Sequence, residues 1–355
     1  MDFGVVFFPT VGPRDRPATQ YFDECLALSE LAEELGFRHV KTVEHYFFPY
    51  GGYSPDPVTF LAAVAARTTR VRLGTSAAIP AFTHPVKLAG KLAMLDNLSH
   101  GRLDVAFGRA FLPDEFAAFG IPLDESRDRF VEGVTACKRL WAEEDVVFEG
   151  RFHRFGPVTL LPRPVQLPHP PVFVTSARSA ESVEQAGTDG HHLQTVPNVM
   201  TRETLQERLA TYRRAWSAAG HPPDGARIHF SYPCVVAEDG DEAVRKGRFD
   251  EERNTAAIST AVRSWAATTS SAYPGYEKLA DLTTRTTFDD KLRAGKVLVG
   301  DPDQVRGQLE RIAEWYGDDV TVSLGIHSGH LTVDDAARTL RLLADQVLPK
   351  LPVTA

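Results

Sequence analysis

Val105-Ala106-Phe107-Gly108-Arg109-Ala110-Phe111-Leu112-Pro113-Asp114-Glu115-Phe116-Ala117-Ala118-Phe119-Gly120 reads as a short buried strand, a loop, and an aromatic-rich segment before a helix that starts near Asp124. In a parallel α/β protein, ligands bind at the loops that leave the carboxyl ends of strands. Arg109 is therefore placed to meet an anion. Its planar fork of donors suits phosphate or carboxylate, and Gly108 and Ala110 leave room for close approach. An ordinary surface arginine is the competing reading, and the preceding chain decides between them.

Upstream, Phe3 to Phe8 is an apolar run of strand length, and Tyr21 to Leu35 has helical periodicity ending at Gly36. Arg38 to Val43 predicts a second strand that delivers Glu44-His45-Tyr46-Phe47-Phe48-Pro49 to its carboxyl-end loop. A helix from about Asp56 to Arg67 follows. Val71 to Ile79 is a third strand with small last residues, Thr75-Ser76-Ala77-Ala78, which would let a flat ring lie against the backbone. Thr83-His84-Pro85 opens the next helix, with Leu88, Leu92 and Leu95 on one face. Strand–helix units about 30 to 35 residues apart are the rhythm of a (β/α)8 barrel, with a doubly wound sheet as the alternative.

Downstream, residues 144–170 break that rhythm and read as a hairpin insertion with a Pro-rich return. Pro171 to Thr175 predicts the fifth strand. Ser176-Ala177-Arg178-Ser179 then leads into a helix, a second plausible anion site, though Ser179 alone reads as a plain N-cap. His191 to Val196 and Ile228 to Val236 predict strands six and seven. Residues 238–300 are too long for a simple connection, and the stretch Thr268 to Phe288 suggests a mobile lid. Val320 to Ile326 completes eight strands, so the expected architecture is a single barrel domain over 1–355 with two insertions.

The 355 residues are 43% hydrophobic and 24% charged, a globular balance. A net charge of -8 without a basic block argues against nucleic acid. Cys25, Cys137 and Cys234 lie far apart with no metal spacing, and His191-His192 and His327-Ser328-Gly329-His330 lack acidic or Cys partners at known spacing. No metal is expected. With no basic leader and no apolar run of membrane-spanning length, the expectation is a cytoplasmic protein away from membranes. G-x-S-x-G, P-loop and dinucleotide G-x-G-x-x-G patterns are missing, which leaves a hydrolase, an NTPase or a Rossmann enzyme without motif support.

Glu44-His45-Tyr46-Phe47, Gly74-Thr75-Ser76-Ala77, His84-Pro85-Val86, Leu95 to Arg102 and Gly108-Arg109-Ala110, with Phe116, Phe119-Gly120 and Ser126-Arg127, resemble the bacterial luciferase-like flavin monooxygenases. Pro171 to Gly190 and Val299-Gly300-Asp301-Pro302 continue the resemblance. It implies a barrel that binds reduced FMN at the carboxyl ends of its strands. His45 then matches the histidine that supports the flavin–oxygen intermediate. Ser76-Ala77 matches a non-prolyl cis peptide under the ring, and Arg109 beside Gly108 matches the arginine on the FMN phosphate. Ser176, Arg178 and Ser179 fall where the family closes that phosphate site, although Ala177-Arg178 departs from the acidic residue and Ser of luciferase. Gly108 and Leu112 also replace a cysteine and a tyrosine there.

The implied activity is oxygenation of a small organic substrate through a flavin hydroperoxide, by hydroxylation or Baeyer–Villiger insertion. O2 would be co-substrate, and a separate flavin reductase would supply reduced FMN. A deazaflavin (F420)-dependent oxidoreductase and a non-catalytic flavin-binding protein are the alternatives. The resemblance also favours a homodimer packed through helices near the second and third strands. Phe8, Phe47, Phe111 and Tyr232 are candidates for the substrate side, with ordinary core packing the favoured reading of each.

Overall fold

The computed structural model describes residues 1–176 and 179–351, apart from the side chains of Leu282 and Thr284. Eight parallel strands close on themselves: β1 (Asp2–Phe7), β2 (His39–Thr42), β3 (Arg72–Thr75), β4 (Leu103–Phe107), β7 (Val172–Thr175), β8 (His192–Thr195), β9 (Ile228–Val236) and β11 (Val320–Gly325). Closure is made twice over at Ile228, which is in register with Leu193 of β8 and with Val320 of β11. A doubly wound open sheet has no such second pairing, so the structure is a (β/α)8 barrel.

Around it run α1 (Ala18–Glu34), α2 (Pro57–Ala65), α3 (Pro85–Leu98), α5 (Ser126–Ala142), α6 (Ala180–Thr188), α7 (Arg202–Ala218), α11 (Pro302–Tyr316) and α12 (Val333–Leu342). Their starts are set by local chemistry. Asp56 accepts from Val58 N–H ahead of Pro57, and Asp301 and Gln304 form a reciprocal capping box. The apolar core is the shell between strands and helices, where Val5, Phe7, Val40, Leu73, Val105, Phe107, Leu193, Phe230 and Leu324 are buried. Tyr232 belongs to this shell, with its ring 6.4 Å from Phe230. It is an ordinary core residue, the favoured of its two sequence readings, and not a substrate-side one.

The barrel interior differs from the usual aliphatic filling. Asp104 is gripped by Arg72 (2.7 and 2.8 Å) and Arg227 (2.8 and 2.9 Å). Above it lie His39 on Ser323 Oγ (2.8 Å) and Lys41, whose ammonium meets His229 Nδ1 and Gln194 Oε1. Glycine makes this possible, since a Cβ on Gly4 would lie 2.4 Å from the His39 ring and one on Gly74 2.7 Å from Lys41 Cγ.

The insertions take their own shapes. Strands β5 (Val146–Glu149) and β6 (Arg154–Val158) form the expected hairpin, with its turn pinned by Glu132, which accepts from the N–H groups of Arg151, Phe152 and His153. The 238–300 stretch opens on a helix, in keeping with its charged first part, and short helices continue through the 268–288 part that reads as a lid. It holds α8 (Gly240–Ala261), α9 (Leu279–Arg285), α10 (Phe288–Arg293) and β10 (Leu298–Gly300), which pairs with the end of β9. Its Trp265, Tyr273 and Leu279 are buried against Leu112, Ala261 and Val262. A short helix, α4 (Pro113–Ala118), also interrupts the segment after Arg109.

Candidate active site

His45 follows β2, Ser76 and Ala77 follow β3, and Gly108 and Arg109 follow β4, all at the carboxyl ends of adjacent strands, while Ser176 and Ser179 follow β7. Strand β3 ends at Thr75, and the Ser76–Ala77 peptide bond that follows is cis, as the resemblance implies. The backbone is then returned to β4: Ala78 N–H donates to Ala106 C=O (2.8 Å), and Gly108 N–H donates to Ala78 C=O (2.9 Å). The result is a flat, small-residue floor of Ala77, Ala106 and Gly108. A Cβ on Gly108 would stand 3.2 Å from that of Ala77 and 3.4 Å from Ile79 Cδ1, so a larger residue would push into the floor.

Arg109 stands at one end of this floor. Its Nη2 donates to Ser126 Oγ and to Ala272 C=O, both at 3.0 Å, and its guanidinium lies 4.7 Å from the Tyr273 ring centre. Its Nε is buried and has no hydrogen-bond partner. The next residue, Ala110, has φ 57°, a left-handed conformation that a Cβ disfavours; Tyr273 Oη holds it there by donating to Ala110 C=O (2.9 Å). The amino end of α6 is on the same side, because Ser126-Arg127 open α5 and Arg127 pairs with Glu181 of the first turn of α6 (3.1 Å). Ser179 caps α6 by accepting from Ser182 N–H (3.1 Å), and Ser176 Oγ donates to Ser179 C=O (3.4 Å). Arg178 lies outside the described residues.

His45 stands at the other end, 9% exposed. Its Nδ1 is 3.0 Å from Glu115 Oε1, and its ring sits among Tyr50, Phe8 and Phe111, with ring centres 5.1, 5.7 and 5.9 Å away. Glu115 also accepts from Tyr46 N–H (2.9 Å), while its Oε2 is buried and unpartnered. With Nδ1 engaged, Nε2 is the nitrogen left to act on a ligand. The neighbouring Glu44 accepts from Tyr46 Oη (2.8 Å) and Ile79 N–H (3.0 Å), and burial pushes its carboxyl up to about 7. Of the other aromatic candidates, Phe8 and Phe111 line the His45 end, whereas Phe47 is 64% exposed and points away from it.

Sequence reasoning left Glu115 without a role. The available signal was a lone carboxylate inside Phe111-Leu112-Pro113 and Phe116, an apolar setting in which a charge needs a partner. The histidine pairs 191–192 and 327–330 do not converge on a metal: His191 meets Lys138, and His327 Nε2 meets Glu24 (3.0 Å). Among the described residues no group of three metal-ligating side chains occurs. The three cysteines are free and buried.

A cation, a small-residue floor over a cis peptide and a water-poor histidine–carboxylate pair, all at the mouth of a closed barrel, define a luciferase-like site. The luciferase-like monooxygenase family model matches residues 1–319, and the chain belongs to that family. The crystal structure of the monooxygenase RslO1 from Streptomyces bottropensis is 55% identical, with a TM-score of 0.88, covering 98% of this chain and 99% of that one. The oxygenase component of the flavin-dependent trigonelline monooxygenase of Acinetobacter baylyi is 33% identical over 198 residues, 55% of this chain and 54% of that protein. The match thus spans about half the length of that relative. The oxygenating constituent of 3,6-diketocamphane monooxygenase from Pseudomonas putida, a Baeyer–Villiger enzyme in complex with FMN, shares the fold at 22% identity over 100% of this chain and 99% of that one, with a TM-score of 0.82. An F420-dependent glucose-6-phosphate dehydrogenase of Intrasporangium calvum is 38% identical over 144 residues, 38% of this chain and 43% of that protein, and two F420-dependent structures share the fold at 17% and 18% identity.

Proposed function

We propose that this chain is the oxygenase of a two-component flavin monooxygenase that uses reduced FMN and O2 to oxygenate a small organic substrate. The observation that carries the reading is the arrangement of one seven-residue segment, which has an arginine with a free buried donor at its start and a histidine-bound carboxylate at its end. Arg109, with Ser176, Arg178 and Ser179, would hold the phosphate, and Ser76, Ala77 and Gly108 would support the ring. Reduced FMN supplies the electrons that activate O2 for transfer of one oxygen atom. His45 Nε2 donates to or takes a proton from the developing oxygen group, and Glu115 fixes the ring's orientation and balances its charge when protonated. Phe8, Tyr50 and Phe111 exclude water.

A separate reductase supplies reduced FMN, since no dinucleotide fingerprint is present. A homodimer would use α3, whose Met94 and Leu98 are each about half exposed. We read 1–355 as one domain acting in the cytoplasm; among the described residues no helix is long and apolar enough to cross a membrane.

The test is to mix the purified chain with FMN and NADH, with and without an added flavin reductase, under air. FMN-dependent oxygen uptake that needs the reductase supports the reading. Rapid NADH oxidation by the chain alone contradicts the two-component part, and binding of F420 in place of FMN contradicts the cofactor.

A further inference from the structure

The polar filling of the barrel interior is used by nothing described so far, and its charges do not cancel. Against the Asp104 carboxylate stand two guanidinium groups, Arg72 and Arg227, and a little above them the Lys41 ammonium. The two arginines hold Asp104 well below the usual carboxylate range, although burial alone would raise it. Lys41 therefore faces a carboxylate that is already doubly paired. Its own hydrogen-bond partners, His229 Nδ1 and Gln194 Oε1 (3.1 Å), are neutral acceptors, because burial and then the charge of Lys41 keep His229 well below its ordinary value. His39 is held neutral for the same reasons, and the remaining neighbour is the Phe173 ring, 5.9 Å from the ammonium. A buried cation without a carboxylate of its own is costly unless an anion comes within reach.

The contacts above Lys41 point to where that anion would be. The Gln194 carbonyl accepts from Lys41, so its amide group must point the other way, and it donates to Ser76 Oγ at 2.8 Å and to Thr175 Oγ1 at 3.2 Å. Ser76 Oγ has thus accepted a hydrogen bond from below and is left to donate its own hydrogen. Ser76 is half-buried and forms the first half of the cis pair in the site floor. An ammonium, an oriented amide and a hydroxyl stand in series, each presenting its positive end toward the mouth, and such chains polarise one another.

We propose that Lys41, acting through Gln194 and Ser76, is a positioning residue that makes the site prefer the anionic reduced form of a flavin over the neutral oxidised form. This rests on the flavin reading above and adds to it a selection between redox states, set by charge beneath the ring rather than by contact with it. A charge in the interior is weakly screened, so its removal changes the affinity for a nearby anion by about tenfold. Burial has drawn the Lys41 ammonium down to about 7, and a bound anion above it would favour the charged form.

The experiment is anaerobic titration of oxidised and of chemically reduced FMN into wild type, Lys41→Met and Gln194→Glu, with folding checked by circular dichroism. The second variant keeps the side-chain shape and sets a carboxylate on the ammonium. Wild type is expected to bind reduced FMN more tightly, and both variants should lose about tenfold in the ratio of reduced to oxidised affinity. If Lys41→Met does not fold, Gln194→Glu decides alone. An unchanged ratio in a folded variant, with wild type binding flavin, overturns the role of Lys41 and leaves the flavin reading intact. Failure of wild type to bind either form overturns both.

Discussion

The two ends of the candidate site are built from opposite materials. Arg109 lies among hydroxyls and backbone carbonyls, with Ser126, Ala272 and Tyr273 bracing a cation that keeps one donor unspent. His45 lies among rings, with a single carboxylate as its polar partner. The difference teaches a division of labour. A polar, partly open end suits holding a hydrated anion, whereas an apolar end with one titratable ring suits a proton transfer from which water must be kept. Arg109 and Glu115, the partner of His45, are six positions apart on one segment, so the loop after β4 bears on both ends.

Breaking the apolar end should have the largest effect. His45→Ala is expected to cut oxygen transfer to substrate by about 10²-fold, the scale for losing a positioned acid–base group, with hydrogen peroxide appearing instead. Single turnover with reduced FMN and O2, with peroxide and product quantified, reads this. At the polar end, Arg109→Ala should weaken FMN by about 10- to 100-fold, the worth of charged hydrogen bonds, and riboflavin much less; Arg109→Lys should recover part. Fluorescence titration with both flavins checks it. Glu115→Gln, which keeps the shape but not the charge, should lower turnover by about tenfold with FMN affinity unchanged.

The last prediction concerns Glu44, beside His45, and bears on stability rather than on activity. Burial pushes its carboxyl up to about 7, above the value of about 4.3 for an unfolded chain. The raised value favours the protonated folded state, so the stability it contributes is full below about pH 4 and is lost as pH rises through 7. Wild type should therefore lose about 3 kcal/mol relative to Glu44→Gln between pH 4 and 8, seen by urea unfolding across that range. A flat difference would show that this end tolerates a buried charge.

Which parts of this were legible in the sequence follows from where each signal lives. Arg109 and His45 were readable because each follows a strand, and strand ends define the mouth of a parallel barrel. Glu115 was inside the deciding stretch, but α4 has six residues, too few for a helical period to show. Lys41 was hidden because His39-Val40-Lys41-Thr42 alternates like any half-buried strand, and the sequence does not say which face turns to the helices. The same ambiguity left Tyr232 with two readings, of which the core one holds. The 268–288 part reads as a lid because its Ser, Thr and Ala content is loop-like, and the sequence does not show that Trp265 and Tyr273 bond to Phe111 and Ala110, some 150 to 160 positions earlier.

The division of labour is tested most directly by crossing the two variants with the two readouts in one series. FMN affinity and the share of reduced-flavin electrons that end in peroxide are measured for wild type, Arg109→Ala and His45→Ala at saturating flavin and substrate. The account predicts that Arg109→Ala loses affinity but, once saturated, keeps the wild-type peroxide share. His45→Ala should keep affinity and send most electrons to peroxide. Equal loss of affinity in both variants, or a wild-type peroxide share in His45→Ala, would contradict it.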